Sequence, residues 1–590
     1  MIMKRMKKIL TLALIGATCL TSCDDWLDLQ PENSVTAENY WKSEADVESA
    51  MTGIYCRWMQ ITPYIFQHGE MRADMVMPGN ALLSTYTAVR EGNITSSNGL
   101  VTWLPYYAVI NQCNLLLERS GIALKNDPSY TVTQDSIYHA EARVIRDLMY
   151  FYLIRILKDV PYITTAYYDD TKGMLVGATP QMEVLDALIG DLEAVQADGI
   201  LPYSYSSVAS DKALNKGQVT MYMLKALLAD MYRMKGSYAT DLATSQDAYK
   251  KSLALCNSII ESGKYALVPF EKSTSVEANL DMKELNNEAD SSFYVLVDVQ
   301  PDSWFNALYV TGNSDESIME LQEDSYNSSG LFDILVGRTF YVPNVDVLRN
   351  SLFPMSEKEM ALAYGYQDVR LVMNYFIANG YLYSRKYAAV RYDLASTIEA
   401  DFKKNVLVYR LAEIYLMKAE VLTQIALANN NDQDMLLEAY RALFKVRDRA
   451  SAVETTDLQL GSGNAMQDVY WEELRKDLPI SLNPGDISGA ALEKVILDEE
   501  ARELAFEGRR WFDLLRNSER NSEGKGGCTG GNISYLLNVA GSCTSTDKVS
   551  YIMGQFSKPD FRYLPYPYQD ISLNKSYDGP LKQKSFWGEE

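Results

Sequence analysis

The chain has 590 residues, of which 47% are hydrophobic and 23% are charged, proportions close to those of globular proteins. This composition excludes a disordered chain, a collagen-like chain and a polytopic membrane protein. The formal net charge of -23 repels phosphate backbones and argues against nucleic acid as a partner. Two histidines cannot supply a His-rich metal site, whereas 41 tyrosines offer amphipathic rings for packing or for polar ligands.

Residues 1–22 have the features of an export signal. Four basic residues between Lys4 and Lys8 precede an apolar run over 9–20, which is too short to span a bilayer. The sequence Leu20-Thr21-Ser22-Cys23 then resembles a bacterial lipobox. We therefore predict cleavage before Cys23, lipidation of Cys23, and a tether over 23–36, with an ordinary signal peptide as the alternative.

Five cysteines remain beyond the lipobox, and none of them belongs to a C-x-x-C pair. Their odd number and wide spacing indicate neither a disulfide scaffold nor a zinc site. Cys528 and Cys543 flank a Gly-rich and Ser-rich segment and are expected either to close a loop or to stay free.

Helical periodicity covers most of the length. Apolar residues at 224–232 and again at 252–259 follow the spacing of one helix face, and a turn near Gly236 separates them. This pattern predicts a helical hairpin similar to a tetratricopeptide unit, in which a small residue lets the two helices approach closely. A second pair is predicted from Leu407 into 440–449. Further helices are predicted near 37–59, 101–119, 135–158, 181–197 and 490–516.

Two stretches lose this periodicity, namely residues 64–100 and residues 268–404, which are rich in Asn, Ser, Gly, Asp, Pro and aromatic side chains. Long loops on a rigid scaffold are where binding surfaces usually lie. We therefore predict an all-α dominated, tetratricopeptide-like repeat scaffold that forms one domain over 37–590. It carries two loop-rich insertions, the first insertion (64–100) and the second insertion (268–404).

The segment 499–516 contains the strongest concentration of charge. Glu499 and Glu503 share one helical face, and a hydrolase could use such a pair of carboxylates. Arginines lie three or four residues from the acids, however, and Trp511 among them suggests a core helix, so we interpret the segment as a structural ion-pair network. His68 and His139 have no nucleophile motif nearby and are interpreted as packing or surface residues.

Several sequence blocks, spread over nearly the whole chain, identify a family. They are Asp24–Pro31, Glu141–Phe151 with Asp159-Val160-Pro161, Arg410–Glu420, Val446–Ala450, and Glu503–Leu514, which reads E-L-A-F-E-G-R-R-W-F-D-L. Together these blocks resemble the SusD/RagB family, surface lipoproteins of Bacteroidota that capture nutrients for an outer-membrane transporter. The chain departs from the family pattern at Asp147, where a small residue is usual, and in its faint C-terminal motif over 581–586.

The resemblance implies a non-enzymatic lipoprotein that is anchored to outer-membrane lipid and exposed at the cell surface. Such a protein binds an oligosaccharide and delivers it to a SusC-like TonB-dependent transporter. A peptide-binding RagB-like protein is the alternative within the family. A lipid-anchored glycoside hydrolase and a repeat scaffold without ligand are the alternatives outside it. No cofactor is implied, and a calcium ion held by scattered loop oxygens would leave no sequence signature, so the metal content stays open.

Sugars present apolar C–H patches flanked by hydroxyls, so a binding site needs aromatic rings beside hydrogen-bonding side chains. In the family, ligand contacts come from loops equivalent to the two insertions. Trp103, Tyr106 and Tyr107 fall in a predicted helix and are expected in the core. The candidate ligand-binding residues are Tyr64, Phe66, Asn80, Tyr86 and Asn93 in the first insertion, and Trp304, Tyr309, Tyr326, Asn327, Phe332, Phe340 and Tyr341 in the second.

Overall fold

The computed structural model describes residues 40–78, 84–168, 175–208, 210–269, 282–284, 294–296, 302–323, 329–331, 341–344, 347–348, 352, 368, 370, 374–378, 381–384, 386, 404–450, 488–520, 533–542 and 547–588. The predicted signal, the tether, Cys23, Cys528 and Cys543 lie outside these residues.

Helices dominate the described residues, which confirms the predicted fold class. In chain order they are α1 (Glu44–Glu70), α2 (Ser84–Arg90), α3 (Leu104–Asn126), α4 (Val132–Leu157), α5 (Gln181–Asp198), α6 (Lys212–Gly217), α7 (Met221–Tyr238), α8 (Leu242–Ile260), α9 (Asp302–Phe305), α10 (Leu411–Ala428), α11 (Gln433–Arg449), α12 (Gly489–Glu503), α13 (Arg510–Arg520), α14 (Ser534–Ser542), α15 (Val549–Phe556) and α16 (Tyr568–Ser576). A π-helical turn spans Asn306–Thr311, and 3₁₀ turns span Pro559–Arg562 and Ser585–Trp587. Among the described helices, none has the length and hydrophobicity that crossing a bilayer requires.

Short strands form four antiparallel pairs within the described residues, β1 with β5, β2 with β3, β4 with β8, and β6 with β7. Their bounds are β1 (Val76–Pro78), β2 (Met282–Glu284), β3 (Tyr294–Leu296), β4 (Ser317–Leu321), β5 (Tyr341–Pro343), β6 (Tyr375–Ala378), β7 (Tyr381–Ser384) and β8 (Val406–Arg410). The helix predicted to begin around Leu407 therefore begins at Leu411 instead, because the preceding Val-Leu-Val-Tyr run is a good strand sequence and pairs with β4.

Helix α1 is longer than the sequence predicted. It was expected to end near residue 59, but it continues through Pro63 to Glu70. A proline inside a helix leaves the carbonyl four residues earlier without its N–H donor. Here the Thr62 hydroxyl donates to that carbonyl, on Met59, at 2.7 Å. Residues 60–70 are thus helical, and Tyr64 and Phe66 lie on a helix rather than in a loop.

The predicted hairpin of α7 and α8 is confirmed. Thr220 and Asp241 cap the two helices by accepting from the backbone N–H groups of Met223 and Thr244. A Cβ atom at Gly236 would lie 2.7 Å from the Tyr249 ring, so the absence of a side chain there allows the close approach. The arrangement is consistent with a tetratricopeptide-like unit.

The C-terminal helices close over the core. Trp511 and Phe506 are 2% and 0% exposed, as their sequence block predicted. Phe506 adopts a φ of 63°, in the sparsely populated left-handed region, where the chain turns from α12 into α13. Although the family's C-terminal motif is faint in the sequence, the end of the chain still docks, because Phe586 and Trp587 pack against Phe561 at 5.7 and 5.4 Å between ring centroids.

Candidate ligand-binding surface

The two insertions meet in three dimensions. Strand β1 of the first insertion pairs with β5 of the second, in the register Val76 to Pro343 and Pro78 to Tyr341. Beside the strands, the Asn344 amide side chain donates to the Asp74 carbonyl at 2.9 Å, and the Asn344 backbone N–H donates to the Met75 carbonyl at 2.8 Å. We call residues 74–78 and 341–344 the junction.

A second contact between the insertions lies at the end of α1. The Thr62 hydroxyl is 3.3 Å from the Ser329 carbonyl oxygen. A Cβ at Gly330 would lie 3.5 Å from the Pro63 ring, and Gly330 has a φ of +69°, which favours glycine. The second insertion therefore follows the last turns of α1 as well as β1.

The segment between α12 and α13 anchors the first insertion. A Glu70 carboxylate oxygen accepts from the backbone N–H groups of Gly508 and Arg509 at 3.0 and 3.2 Å. Burial raises the pKa of Glu70 to about 8, against the lowering effect of these two donors. A Cβ at Gly69 would lie 1.9 Å from the Gly508 carbonyl oxygen. No residue larger than glycine therefore fits at position 69.

Buried ion pairs hold the second insertion against α12 and the segment that follows it. Arg370 reaches Glu499 at 2.6 Å and Glu503 at 3.0 Å, and Lys386 reaches Glu507 at 2.8 Å. Arg410 and Arg449 of the scaffold and Glu316 of the second insertion extend this set of ion pairs. We call these eight residues the ionic network. Its existence confirms the structural interpretation of the charged segment.

The paired carboxylates Glu499 and Glu503 are unsuited to glycoside hydrolysis. Burial would raise their pKa values, but arginines outweigh it: Arg370, Arg447 and Arg502 lower the pKa of Glu499, and arginines including Arg449 hold that of Glu503 well below its usual range. A general acid in such a pair needs a raised pKa. Both side chains are also fully buried and paired, so this pair clamps the fold instead.

Tyr64 and Tyr86 are the predicted rings of the first insertion that keep a part of each side chain exposed. Tyr86 lies one helical turn before Arg90, whose Nη1 atom donates to the Val76 carbonyl of the junction at 2.6 Å. Tyr64 lies on the last turns of α1, and Tyr86 lies on α2, which the sequence had assigned to a loop. Burial raises the pKa of Tyr86, and the neighbouring Tyr64 hydroxyl raises it further, so the two phenols are close to one another. Partly exposed tyrosine rings are groups on which the apolar face of a sugar can stack.

Three predicted ligand residues are core residues instead. Phe66, Trp304 and Tyr309 are only 3%, 3% and 8% exposed. The π-helical turn directs Tyr309 towards the ionic network, where its hydroxyl donates to Glu507 at 3.0 Å. The Arg449 guanidinium lies over the Trp304 ring at 5.2 Å. These three rings are buried in packing or ionic contacts, which contradicts the prediction that they stack on a ligand.

Asn93 is exposed and has an aromatic neighbour that the sequence did not reveal. The Tyr551 hydroxyl donates to the Asn93 side-chain oxygen over a long 3.5 Å contact, and the Tyr551 side chain is 47% exposed. A Cβ atom at Gly92, which has a φ of +70°, would lie 3.7 Å from that ring. Tyr551 belongs to α15, which is 458 residues away along the chain, so no local pattern could place it here.

Of the remaining predicted ligand-binding residues, the structure describes only Tyr341, and only its backbone. The backbone of Tyr341 is in β5, opposite Pro78. Asn80, Tyr326, Asn327, Phe332 and Phe340 lie outside the described residues.

A small cavity of about 30 Å³ lies beside the last turns of α1. Its two charged wall residues, Glu507 and Arg509, are already paired with Arg410 and Glu413. The other walls are mostly apolar, so the cavity suits a neutral group. It is lined by Trp58, Thr62, Ile65, Phe66, Tyr152, Leu321, Leu331, Val406, Leu407 and Val408 together with those two residues.

The histidines and acidic residues offer no metal centre in the described part of the chain, where no group of three or more His, Cys, Asp or Glu side chains could hold a metal ion. His68 is buried between the Tyr106 hydroxyl at 2.8 Å and the Leu100 carbonyl at 2.9 Å. Burial lowers the pKa of His68 to about 4, which keeps its ring neutral. His68 is therefore a packing residue, as predicted.

The chain is similar to known proteins over most of its length. The model of the SusD family matches residues 343–587, and a model described as starch-binding and associating with the outer membrane matches residues 25–214. SusD-like protein P38 of Formosa agariphila is 25% identical over 525 residues, which cover 88% of this chain and 93% of that protein. The chain belongs to the SusD/RagB family.

Solved SusD-like structures share the fold. A SusD homolog from Bacteroides thetaiotaomicron aligns with a TM-score of 0.58 and 18% identity, covering 92% of this chain and 99% of that one. A laminarin-binding SusD-like protein aligns with a TM-score of 0.56 and 17% identity, covering 92% of this chain and all of that one. The alignments with SusD-like structures thus cover nearly the whole chain.

Proposed function

We propose that this SusD-like protein is a surface lipoprotein that binds oligosaccharides or polysaccharide fragments without cleaving them and delivers them to a SusC-like TonB-dependent transporter. The observation that carries the proposal is the junction, where segments of both insertions pair beside the helix that bears the partly exposed ring of Tyr86. Membership of the SusD/RagB family supports it, as does the fold shared with a laminarin-binding relative.

The chemistry of this surface favours a neutral sugar. Tyrosine faces can stack on the apolar C–H patches of a pyranose while their hydroxyls and nearby amides bond to its hydroxyl groups. The two charged wall residues of the cavity beside α1, Glu507 and Arg509, are paired with Arg410 and Glu413, so a charged ligand would find no free counter-ion there. A net charge of -23 also disfavours strongly anionic glycans.

Binding can be tested by calorimetry on residues 24–590 with laminarin, soluble starch and a casein digest. We expect heat of binding with a glycan and no new reducing ends. The substitution Tyr86→Ala should weaken binding by ~1 kcal/mol or more and lower the thermal stability by less than truncation of a fully buried ring such as Trp511, because part of the Tyr86 side chain is exposed.

Tyr203→Ala is the matched control. Tyr203 is 54% exposed and packs edge-on against Tyr222, in a part of the chain outside both insertions. Its loss should leave glycan binding unchanged. Heat with the casein digest alone would favour the peptide-binding alternative, and product formation that scales with protein amount would favour a hydrolase.

The N-terminal part of the proposal is a signal over 1–22, a lipidated Cys23, a tether over 23–36 and a domain over 37–590. It is supported by the lipobox-like sequence before Cys23 and by the outer-membrane association named in the family description. Cys23→Ala should release the protein from the membrane fraction of cells that lack the transporter. Retention of that variant in the outer membrane would contradict lipid anchoring.

A further inference from the structure

Arg510 connects the core to the junction through a fork of two hydrogen bonds. Its Nε and Nη2 atoms donate to the two Asp74 carboxylate oxygens at 2.9 and 3.0 Å, and its Nη1 atom donates to the Leu497 carbonyl at 3.0 Å. The side chains of Arg510 and Asp74 are 2% and 5% exposed. A bidentate pair of this kind fixes direction as well as distance.

Asp74 passes this constraint to the second insertion. Its carbonyl oxygen accepts from the Asn344 side chain, while the next carbonyl, of Met75, accepts from the Asn344 backbone N–H. Asn344 is 3% exposed, so both bonds are shielded from water. One chain of contacts therefore runs from Arg510 through Asp74 to Asn344, and it ends where β1 meets β5.

The strands of the junction need such support. β1 and β5 have three residues each and form a two-stranded sheet without further partners in the described residues. Isolated pairs of short strands are marginally stable in water. Their register must therefore be maintained by contacts outside the ladder, and the Asp74 and Asn344 contacts are adjacent to it.

We propose that Arg510 is a positioning residue for ligand binding, because it holds Asp74 and thereby sets how the two insertions meet. The inference rests on the proposed function, in which the junction and the rings beside it form the ligand-binding surface. Arg510 itself does not contact the ligand.

Arg516 provides a matched control on the same helix. It is also buried, and its Nε and Nη2 atoms donate to the two carboxylate oxygens of Glu420 at 2.9 and 2.8 Å. Glu420 lies on α10 in the helical scaffold, however, and not in an insertion. Arg510 and Arg516 therefore make similar forks to different parts of the molecule.

The test compares Arg510→Lys with Arg516→Lys in residues 24–590. Lysine keeps the charge and loses the fork, so both variants should melt earlier than the parent. Amide hydrogen exchange at Tyr341, Val342 and Asn344 should become at least about tenfold faster in R510K and stay at the parent rate in R516K. Calorimetry with laminarin and soluble starch should show at least about fivefold weaker binding for R510K only.

Asn344→Ala tests the same chain of contacts if R510K does not fold. This variant keeps the backbone bond to Met75 and removes the side-chain bond to Asp74, and it should again speed exchange at the junction and weaken binding. Unchanged exchange and affinity in R510K or N344A, or equal losses in R516K, would overturn the inference. A parent protein that binds neither glycan would contradict the proposed function instead, and the exchange measurement, which needs no ligand, would still decide whether Arg510 orders the junction.

Discussion

The hairpin of α7 and α8 and the ionic network are both buried, but apolar packing holds the hairpin and ion pairs hold the network. The hairpin packs apolar side chains around a glycine contact, and its residues are neighbours within 40 residues of chain. The network joins arginines and glutamates that are 54 to 133 residues apart, including Arg449 with Glu503 and Arg370 with Glu503. One region can be assembled locally, whereas the other forms only when distant segments have already met.

The two regions therefore play different parts. Apolar packing needs close contact but no preferred direction, so it can form between any apolar faces of matching shape. A buried ion pair stabilises the fold only when its geometry is good and every charge has a partner, since desolvation is costly. The network is consequently suited to holding the second insertion in one position on the scaffold, and the hairpin to supplying the rigid body beneath it.

Removal of Arg410 should have the largest effect. Its guanidinium contacts Glu316 at 2.8 Å, Glu503 at 2.6 Å and Glu507 at 3.0 Å, and it is 1% exposed. Arg410→Ala leaves three carboxylates short of a partner in the core, which should lower the free energy of unfolding by about 3–5 kcal/mol. Chemical denaturation measures this value.

The exposed pair of Lys212 and Asp315 is the control for Arg410. These side chains are 52% and 71% exposed at a distance of 2.9 Å. Lys212→Ala should change the free energy of unfolding by no more than about 0.5 kcal/mol, because water screens the pair. Similar losses in K212A and R410A would show that the buried network has no special importance.

Gly236→Ala tests the hairpin. The added Cβ would meet the Tyr249 ring at 2.7 Å, and Tyr249 is 1% exposed, so neither helix can yield easily. We expect a loss of about 1–3 kcal/mol from overpacking. In a Tyr249→Ala background the ring is gone and Gly236→Ala should cost little, so a double-mutant cycle by thermal denaturation isolates the contact. Additive losses would contradict a close approach at this position.

Glu141 shows what a buried carboxylate does without an arginine. Its two oxygens accept from the hydroxyls of Tyr55 and Tyr205. Burial raises the pKa of Glu141 to about 7, against the lowering effect of both tyrosines. Because this native pKa lies above the value in the unfolded chain, the native state binds the proton more tightly, and the stability it contributes is lost as pH rises towards and through 7.

Glu141→Gln should therefore flatten the pH dependence of unfolding. Between pH 5 and pH 8 the parent should lose on the order of 2 kcal/mol relative to the variant, measured by urea denaturation at each pH. Glu70 has a raised pKa of about 8 and should leave part of the slope in both proteins. A parent and variant with parallel profiles would mean that Glu141 is ionised in the native state throughout this range.

Prediction from sequence worked where the physics is local. The spacing of apolar residues predicted α7 and α8, and the mixed acids and arginines of 499–516 predicted an ion-pair network. It failed at α1, where a proline followed by Tyr64 and Phe66 resembled the start of a loop, because the Thr62 bond that satisfies the Met59 carbonyl cannot be seen without the structure. It also failed at Trp304 and Tyr309, whose composition is equally suited to a core and to a sugar platform.

By itself the sequence determined the helical scaffold, the family blocks and the export-like start, because periodicity and motif spacing are properties of neighbouring residues. Only the tertiary structure decided which aromatic rings remain at the surface and how the two insertions meet. Arg510 and Asp74 are 436 residues apart, and Asn344 and Asp74 are 270 apart. Such contacts depend on how the whole chain is threaded, since a side chain's direction and its partner are set by packing and not by its neighbours in sequence.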